Sequence, residues 1–532
     1  MEDEKFNQED LQVMSGLGLS ESQVRVQIEL LQKSSGYLRL HRPCTLGDGI
    51  QKIPETKIES LIQRQKKAAR EGRFIKFIPA SGAATRMFQS LIPFYLHPCS
   101  LNPDKFQKNF ENGDQKAGEL ARFMVGINRF AFFEDLKKSL ARDELDITTV
   151  IQQRQWAKIL EYLLTERGLN YLTLPKGLHK FHAYPFQNRT AFEEHLVEAF
   201  HTLCDGAGQC RLHVTVAPEH EMAVRSFFEL IRPGYEHQYQ CRLEVSFSVQ
   251  THSTDTLAVD LENRPFRTDS GALFFRPGGH GALLKNLSDL QGDLIYIKNI
   301  DNVFPDRLKE STILWKKVLG GYLVKIQQMV HGLIKKMKKE ENTPALLKEI
   351  LAFCRDWILV SPPRGFKEWS LREQANFLFG ILNRPIRVCG MVRNEGEPGG
   401  GPFWVEDEEE TLSLQIVERA QIDIGSTEQI TLWASSTHFN PVDLVCAVRD
   451  YEGKPFDLNW YKDPEAVFIC RKSQNGRDLK ALELPGLWNG GMAKWITLFV
   501  EVPNQTFSPV KTINDLLRPE HQPAKPISPS VK

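Results

Sequence analysis

The stretch FIKFIPASGAATRMF, residues 74–88, sets the terms for the rest of the chain. Phe74 to Ile78 form an apolar run interrupted by Lys76, the pattern of a short, mostly buried strand. Pro79, Ala80, Ser81, Gly82, Ala83 and Ala84 follow, then Thr85 and Arg86. Small residues after a buried strand let the backbone come close to a ligand, and successive N–H groups can cradle a phosphate. Arg86 adds a forked cation matched to phosphate oxygens. The same residues are compatible with an ordinary tight turn into a helix, so the choice falls to the rest of the chain.

A chain of 532 residues exceeds one ordinary core and predicts two or three structural units. Basic and acidic residues number 67 each, so charge gives no reason to expect nucleic acid or an anionic membrane as a partner. The start, MEDEKFNQED, is acidic and lacks the apolar core of a secretory signal. No uninterrupted apolar run is long enough for a spanning helix. The nine cysteines are scattered and contain no CxxC pair. Together these features predict a cytoplasmic protein with reduced thiols rather than a disulfide framework or a zinc site.

Residues 1–70 read as a peripheral helical region, with a loop over 41–54 and a second helix over 56–70. Residues 89–172 carry Phe106, Phe110, Leu120, Phe123, Ile127 and Phe130 at mostly helical spacing, which predicts an insert of two to four helices. From 173 to 308 strands and helices alternate: RTAFEEHLVEAF, RLHVTVAP, EHEMAVRSFFEL, CRLEVSFSVQ and LIYIKNI. That alternation predicts an α/β fold with a mostly parallel sheet, whose ligands sit beyond the carboxyl ends of the strands. A second helical insert is expected over 309–383, a return to strands over 384–518, and a disordered proline-rich tail over 519–532. The loops Ser81–Arg86, Pro175–Lys180, Arg276–Gly281 and Asn299–Asn302 are expected to converge as a phosphate-binding set. Neither a zinc spacing nor a GxSxG elbow is present, and Ser270 in TDSGAL reads as structural. QTHSTD, 250–255, reads equally as a site or a capped turn.

In order, these motifs resemble the UDP-sugar pyrophosphorylases, the UDP-N-acetylhexosamine and UTP-glucose-1-phosphate uridylyltransferase group, in a divergent branch placed in Bacteroidetes. Ser81-Gly82-Ala83-Ala84-Thr85-Arg86 is similar to the family's Gly-Gly-x-Gly-Thr-Arg phosphate loop, and Pro175-Lys176-Gly177 to its Pro-Lys-Gly. Gln250 ends a matching strand, and Pro277-Gly278-Gly279-His280-Gly281 resembles the loop that holds the base. Ile300-Asp301-Asn302 resembles the Val-Asp-Asn strand end with its magnesium-binding aspartate. Glu418, the Asn440 segment and Ser508-Pro509-Val510-Lys511 resemble later motifs near the sugar and the phosphates. The resemblance implies a Rossmann-like fold of the nucleotide-diphospho-sugar transferase type with two large helical inserts. It implies Mg²⁺-dependent transfer from an NTP, expected to be UTP, to a sugar 1-phosphate. Arg86, Lys176 and Lys511 would be catalytic, and Asp301 would hold the metal. Ser81, Gly82, Thr85, Gln250, Gly279, His280, Gly281, Glu418 and Asn440 would contact the ligands. The inserts could join copies into a homo-oligomer. The departures are Ser81 and Ala84 for loop glycines, His280 for the base-loop Asn, and Arg419 for a Tyr. They keep two alternatives open: a catalytically silent nucleotide- or sugar-phosphate-binding protein, and a different phosphotransfer enzyme such as a kinase.

Overall fold

Period-2 apolar runs supply the strands, and amphipathic stretches supply the helices that cover them. The computed structural model describes residues 6–33, 37–81, 84–339, 342–396 and 399–524. Its centre is a ten-stranded sheet. The strands are β1 Thr45–Leu46, β2 Gly49–Gln51, β3 Phe74–Pro79, β4 Gln209–Val216 and β5 Arg242–Val249. They continue with β6 Leu294–Lys298, β7 Ile386–Arg393, β8 His438–Phe439, β9 Asp443–Ala447 and β10 Ile496–Glu501. The order is β1-β2-β10-β7-β9-β6-β3-β4-β5, with the short β8 added to β7. Along that path every neighbour is parallel except at β9, which runs against both β7 and β6. The carboxyl ends of β3, β5, β6, β7 and β10 therefore share one edge, as the alternating pattern predicts.

Alternation along β6 shows how two cores form. Leu294 and Tyr296 face one apolar cluster, and Ile295 and Ile297 face the other. The first cluster is continuous with the helical insert after β3. That insert holds six short α-helices between Ile92 and Leu164, not the two to four that periodicity predicts. Gly113, Gly126 and the turns at 142–146 and 153–155 divide the apolar pattern into pieces of 5 to 11 residues. The second insert opens with the helix Lys309–Lys339, whose first half belongs to the core. At Gly321 this helix lies so close to the helix Glu55–Arg70 that an added Cβ would stand 1.9 Å from the Leu61 carbonyl oxygen. Only glycine permits that approach.

Several boundaries differ from the sequence expectation. Residues 41–54 are not a loop: Arg39–Pro43 pairs with Gly401–Glu406, and β1 and β2 extend the central sheet. This pairing partner lies more than 350 residues away, so no local pattern announces it. The helices Gln8–Leu17 and Glu21–Gln32 pack on a separate four-stranded sheet built from Thr256–Val259, Phe275–Arg276, Phe468–Gln474 and Arg477–Glu483. The expected disorder after 519 gives way at first to a turn, Pro519–His521, with His521 buried; residues 525–532 lie outside the described residues. Ser270 sits in an exposed turn, and 252–254 form a turn capped by His252 and Asp255.

The expectation that all nine cysteines are reduced is corrected by a Cys204–Cys241 disulfide. Cys204 ends the helix Ala191–Leu203, and Cys241 precedes β5. Register between β4 and β5 sets Gln209 opposite Arg242 and so brings the two approaches together. The closed loop spans 37 residues, and constraining the unfolded chain this way stabilises the fold by roughly 2–4 kcal/mol. A reductant should lower the urea midpoint of the wild type and leave that of a Cys204→Ala/Cys241→Ala variant unmoved. Equal responses would mean the bond adds nothing.

Candidate functional site

β6 delivers the centre of the site. After Lys298 the chain turns through Asn299 and Ile300, and Asp301 ends up buried. Its Oδ2 accepts from Lys176 Nζ at 2.9 Å and from Lys511 Nζ at 3.0 Å. Lys176 opens a short 3-10 turn after Pro175, and Gly177 packs against Ile300. Lys511 is fixed by its backbone. The Val510 N–H donates to the Asp301 carbonyl at 3.1 Å, Pro509 bridges Asn302, and the Lys511 N–H donates to Asp515 Oδ2 at 2.7 Å. Burial resists ionisation of Asp301, but the two ammonium groups outweigh it and hold the carboxyl below its ordinary range. Burial pulls Lys176 down, and Asp301 restores part of its basicity.

Asp301 Oδ1 is buried without a partner among the described residues. It is a hard oxygen suited to Mg²⁺, which takes one or two carboxylates and completes its shell with waters and phosphate oxygens. The donor set therefore fits a one-carboxylate metal site. Among the described residues no group of three or more His, Cys, Asp or Glu could hold a metal by itself.

The phosphate-loop residues lie beyond β3. Ser81 is half-buried, and Gly82 lies outside the described residues. Thr85 and Arg86 are exposed on the 3-10 turn Ala84–Phe88, and the Arg86 guanidinium has no hydrogen bond or ion pair with the described residues. Phe88 of that turn packs edge-on against His179 at 5.5 Å, and His179 stacks on Tyr171 at 4.3 Å. The loop that carries Lys176 and the turn that carries Arg86 are thus packed together.

The remaining ligand-contact candidates form a second group. Gln250 Nε2 donates to the Gly279 carbonyl at 3.3 Å, and Gly279 has a φ of +71° that favours glycine. At Gly281 an added Cβ would meet the Pro485 carbonyl oxygen at 2.4 Å, so this glycine serves the packing of the loop. His280 stacks on Trp488 at 4.6 Å, and its Nε2 stands 3.9 Å from Glu418 Oε1. Asn489 Nδ2 donates to the same Glu418 oxygen at 3.0 Å. Trp488 and Asn489 were not legible as site residues, since they follow no recognisable spacing. Asn440 is buried and takes the Val442 N–H on its side chain at 3.1 Å. Glu418, Arg419 and Phe439 line a cavity of about 360 Å³. A larger cavity of about 720 Å³ opens beside Asn302's partners, Ser508 and Pro509.

Beneath Asp301 lies a buried charge cluster that sequence reading missed. Glu198 accepts from Lys76 and Lys298, each at 2.7 Å, and Lys316 lies 2.7 Å from Asp443 and 3.5 Å from Glu198. All three lysines are essentially inaccessible. Burial pushes Lys76 down to about 7. It also opposes ionisation of Glu198, yet the three ammonium groups hold that carboxyl well below its usual range. His195, neutral through burial, ties the cluster to the site: its Nε2 lies 3.3 Å from the Ile300 carbonyl. The available signal was a lone lysine at an inward position of each strand, Lys76 in FIKFIP and Lys298 in LIYIKNI.

The sheet, its order and the insert helices define an α/β protein with a large, mostly parallel, Rossmann-like sheet and helical inserts. Within that class, the chain belongs to the family described as Domain of unknown function (DUF4301), whose model matches residues 7–522. No curated protein matches the sequence. Among solved structures it is similar to the UDP-N-acetylglucosamine pyrophosphorylase of Trypanosoma brucei, solved with an inhibitor. That match has 13% identity, covers 96% of this chain and 81% of the other, and has a TM-score of 0.48. A mutant UDP-glucose pyrophosphorylase from Leishmania major matches with 12% identity, 96% and 78% coverage, and a TM-score of 0.47. No described helix is long and apolar enough to cross a membrane.

Proposed function

We propose that the protein is a nucleotidyltransferase that joins an NTP, UTP by preference, to a sugar 1-phosphate and releases pyrophosphate. One observation carries this reading. Lys176 and Lys511, 125 and 210 residues from Asp301 in sequence, meet on its carboxylate at the carboxyl edge of a parallel sheet. Two cations around a single acid, with Arg86 exposed on the turn that packs against the Lys176 loop, make a set for a polyphosphate.

In the proposed reaction an oxygen of the sugar phosphate attacks the α-phosphorus. The bond to the β-phosphate oxygen breaks, and pyrophosphate leaves with the electron pair. Lys176 and Lys511 turn from Asp301 toward phosphate oxygens and neutralise the charge that grows on them. Asp301 Oδ1 would hold Mg²⁺, which supplies further charge neutralisation when bound. Gln250, His280 and Glu418 orient the nucleoside and sugar ends, and orientation supplies much of the rate. The reading includes action in the cytoplasm and the helical inserts as a contact between copies.

One observation favours the silent alternative. Both lysines rest on the same Asp301 oxygen, so this set could hold a phosphate with no metal on Oδ1 and no transfer. A matrix of four NTPs and common sugar 1-phosphates, with and without Mg²⁺, separates the readings. Release of pyrophosphate that needs one NTP, one sugar phosphate and the metal supports the transferase. Nucleotide binding with no release supports the silent protein, and phosphate transfer without pyrophosphate supports a kinase. In the same assay Arg86→Ala should slow turnover roughly tenfold, since it removes one exposed cation from the transition state; unchanged turnover would remove Arg86 from the reaction.

A further inference from the structure

Residues 508–521 form a closed loop, and the groups that close it are buried side chains outside the site described above. His182 Nδ1 lies 2.9 Å from Glu194 Oε1, His182 Nε2 lies 2.9 Å from His521 Nδ1, and His521 Nε2 lies 3.1 Å from Ser508 Oγ. His182, Glu194 and His521 are each about 1% exposed or less. An ionised carboxylate only accepts, so the His182 proton sits on Nδ1. His182 Nε2 is then the acceptor for the His521 Nδ1–H, and His521 Nε2 is the acceptor for the Ser508 hydroxyl. Every group in this four-member chain has one assignment, and two neutral imidazoles satisfy it.

The chain pins the start of the loop to its end. Ser508 also donates its backbone N–H to Asn302 Oδ1 at 3.2 Å, next to Asp301. Three residues on, Lys511 reaches Asp301 Oδ2. The far side of the loop is anchored separately, by Val510, Ile513 and Leu516 in the main apolar core and by Asn514 Nδ2, which donates to the Glu119 carbonyl at 2.9 Å, so the histidine chain bears on the Ser508 end that leads into Lys511. Lys511 itself is half-exposed, with 56% of its side chain accessible, so burial does not hold it in place.

We propose that His521 is a positioning residue for Lys511, acting through the Glu194–His182–His521–Ser508 chain that closes the 508–521 loop. The consequence for turnover rests on the transferase reading; the placement of Lys511 does not. Removing His521 leaves His182 Nε2 and the Ser508 hydroxyl without partners, loosens the Ser508 end of the loop and lets the half-exposed Lys511 side chain leave Asp301.

Acylation of lysine amines followed by mass spectrometry reads Lys511 directly on the full chain, with no substrate present. Asp301→Asn sets the reactivity of a Lys511 released from its partner. In His521→Phe, and in His182→Asn as a variant that keeps the Glu194 contact, Lys511 should rise to at least half of that level. Exposed Lys367 and buried Lys76 should stay as in the wild type. Lys511 at its wild-type reactivity in both variants overturns the proposal. So does a rise at Lys76, which would mean that the fold has loosened as a whole. Turnover supplies the second arm. Lys511→Ala/His521→Phe should be no slower than Lys511→Ala, because a residue that acts through Lys511 has no effect once it is gone. Multiplying losses overturn the proposal. A wild type that releases no pyrophosphate removes the transferase reading and leaves the acylation result to decide the placement of Lys511.

Discussion

Glu198→Gln should destabilise the fold by about 3–5 kcal/mol, while Lys76→Met should cost little or even stabilise it. The two residues share one hydrogen bond, so the contrast comes from charge. Lys76, Lys298 and Lys316 face Glu198 and Asp443, three positive groups against two negative ones, all buried. Removing Glu198 leaves three ammonium groups around one carboxylate, and an uncompensated buried charge is the costly case. Removing Lys76 leaves two against two. Burial depresses Lys76 to about 7, with Lys316 and Lys298 adding to the depression and Glu198 opposing it. That depression also fixes the sign of a pH effect. Between about pH 7 and its ordinary value of 10.5, folded Lys76 has shed its proton while unfolded Lys76 keeps it. The unfolded chain binds more protons in that window, so stability rises with pH across it, by at most about 1.4 kcal/mol per unit. Urea unfolding of the wild type and both variants from pH 7 to 10 checks all three statements. An equal loss in the two variants, or a slope that survives in Lys76→Met, would show that the cluster is not governed by its net charge.

Lys176→Ala should slow pyrophosphate release about 10²-fold or more, a larger effect than that of Arg86→Ala. Both residues are cations expected at the phosphates, but their surroundings differ. Arg86 is exposed, and water screens it. Lys176 is largely buried beside Asp301, where a charge acts through a lower effective dielectric. Its loss also leaves Asp301 with Lys511 as its remaining ion partner among the described residues. Thermal unfolding measured alongside turnover separates the two effects. A variant that melts like the wild type and turns over slowly supports the assignment. Lys176→Ala with undiminished turnover would remove this lysine from the mechanism, and equal losses in the two variants would remove the argument from burial.

Sequence reading recovered the order of elements because each depends on neighbours in the chain. The apolar run 74–78 became β3, LIYIKNI became β6, and the amphipathic stretch from 315 became part of the helix Lys309–Lys339. The motif order also named Lys176, Asp301 and Lys511, which the fold brings within 3.0 Å of one another's partner atoms. The strands at 39–51 went unread because their partners are remote. The cysteine pair went unread because its spacing of 37 carries no motif. His521 was assigned to a disordered tail because proline-rich composition dominates that stretch, whereas its burial depends on a histidine 339 residues earlier.

The sequence by itself determined the alternation of strand and helix, the apolar faces and the residue types available for phosphate chemistry. Periodicity is a local property, and solvent exclusion acts on it wherever the segment ends up. Only the tertiary structure decided which charges share a space. Whether Lys76 is a surface cation or a buried one near neutrality depends on Glu198, Lys298 and Lys316, which reach it from another strand and two helices. Coulomb energy falls with distance in space and takes no account of distance along the chain, so the pairing of charges is settled by packing.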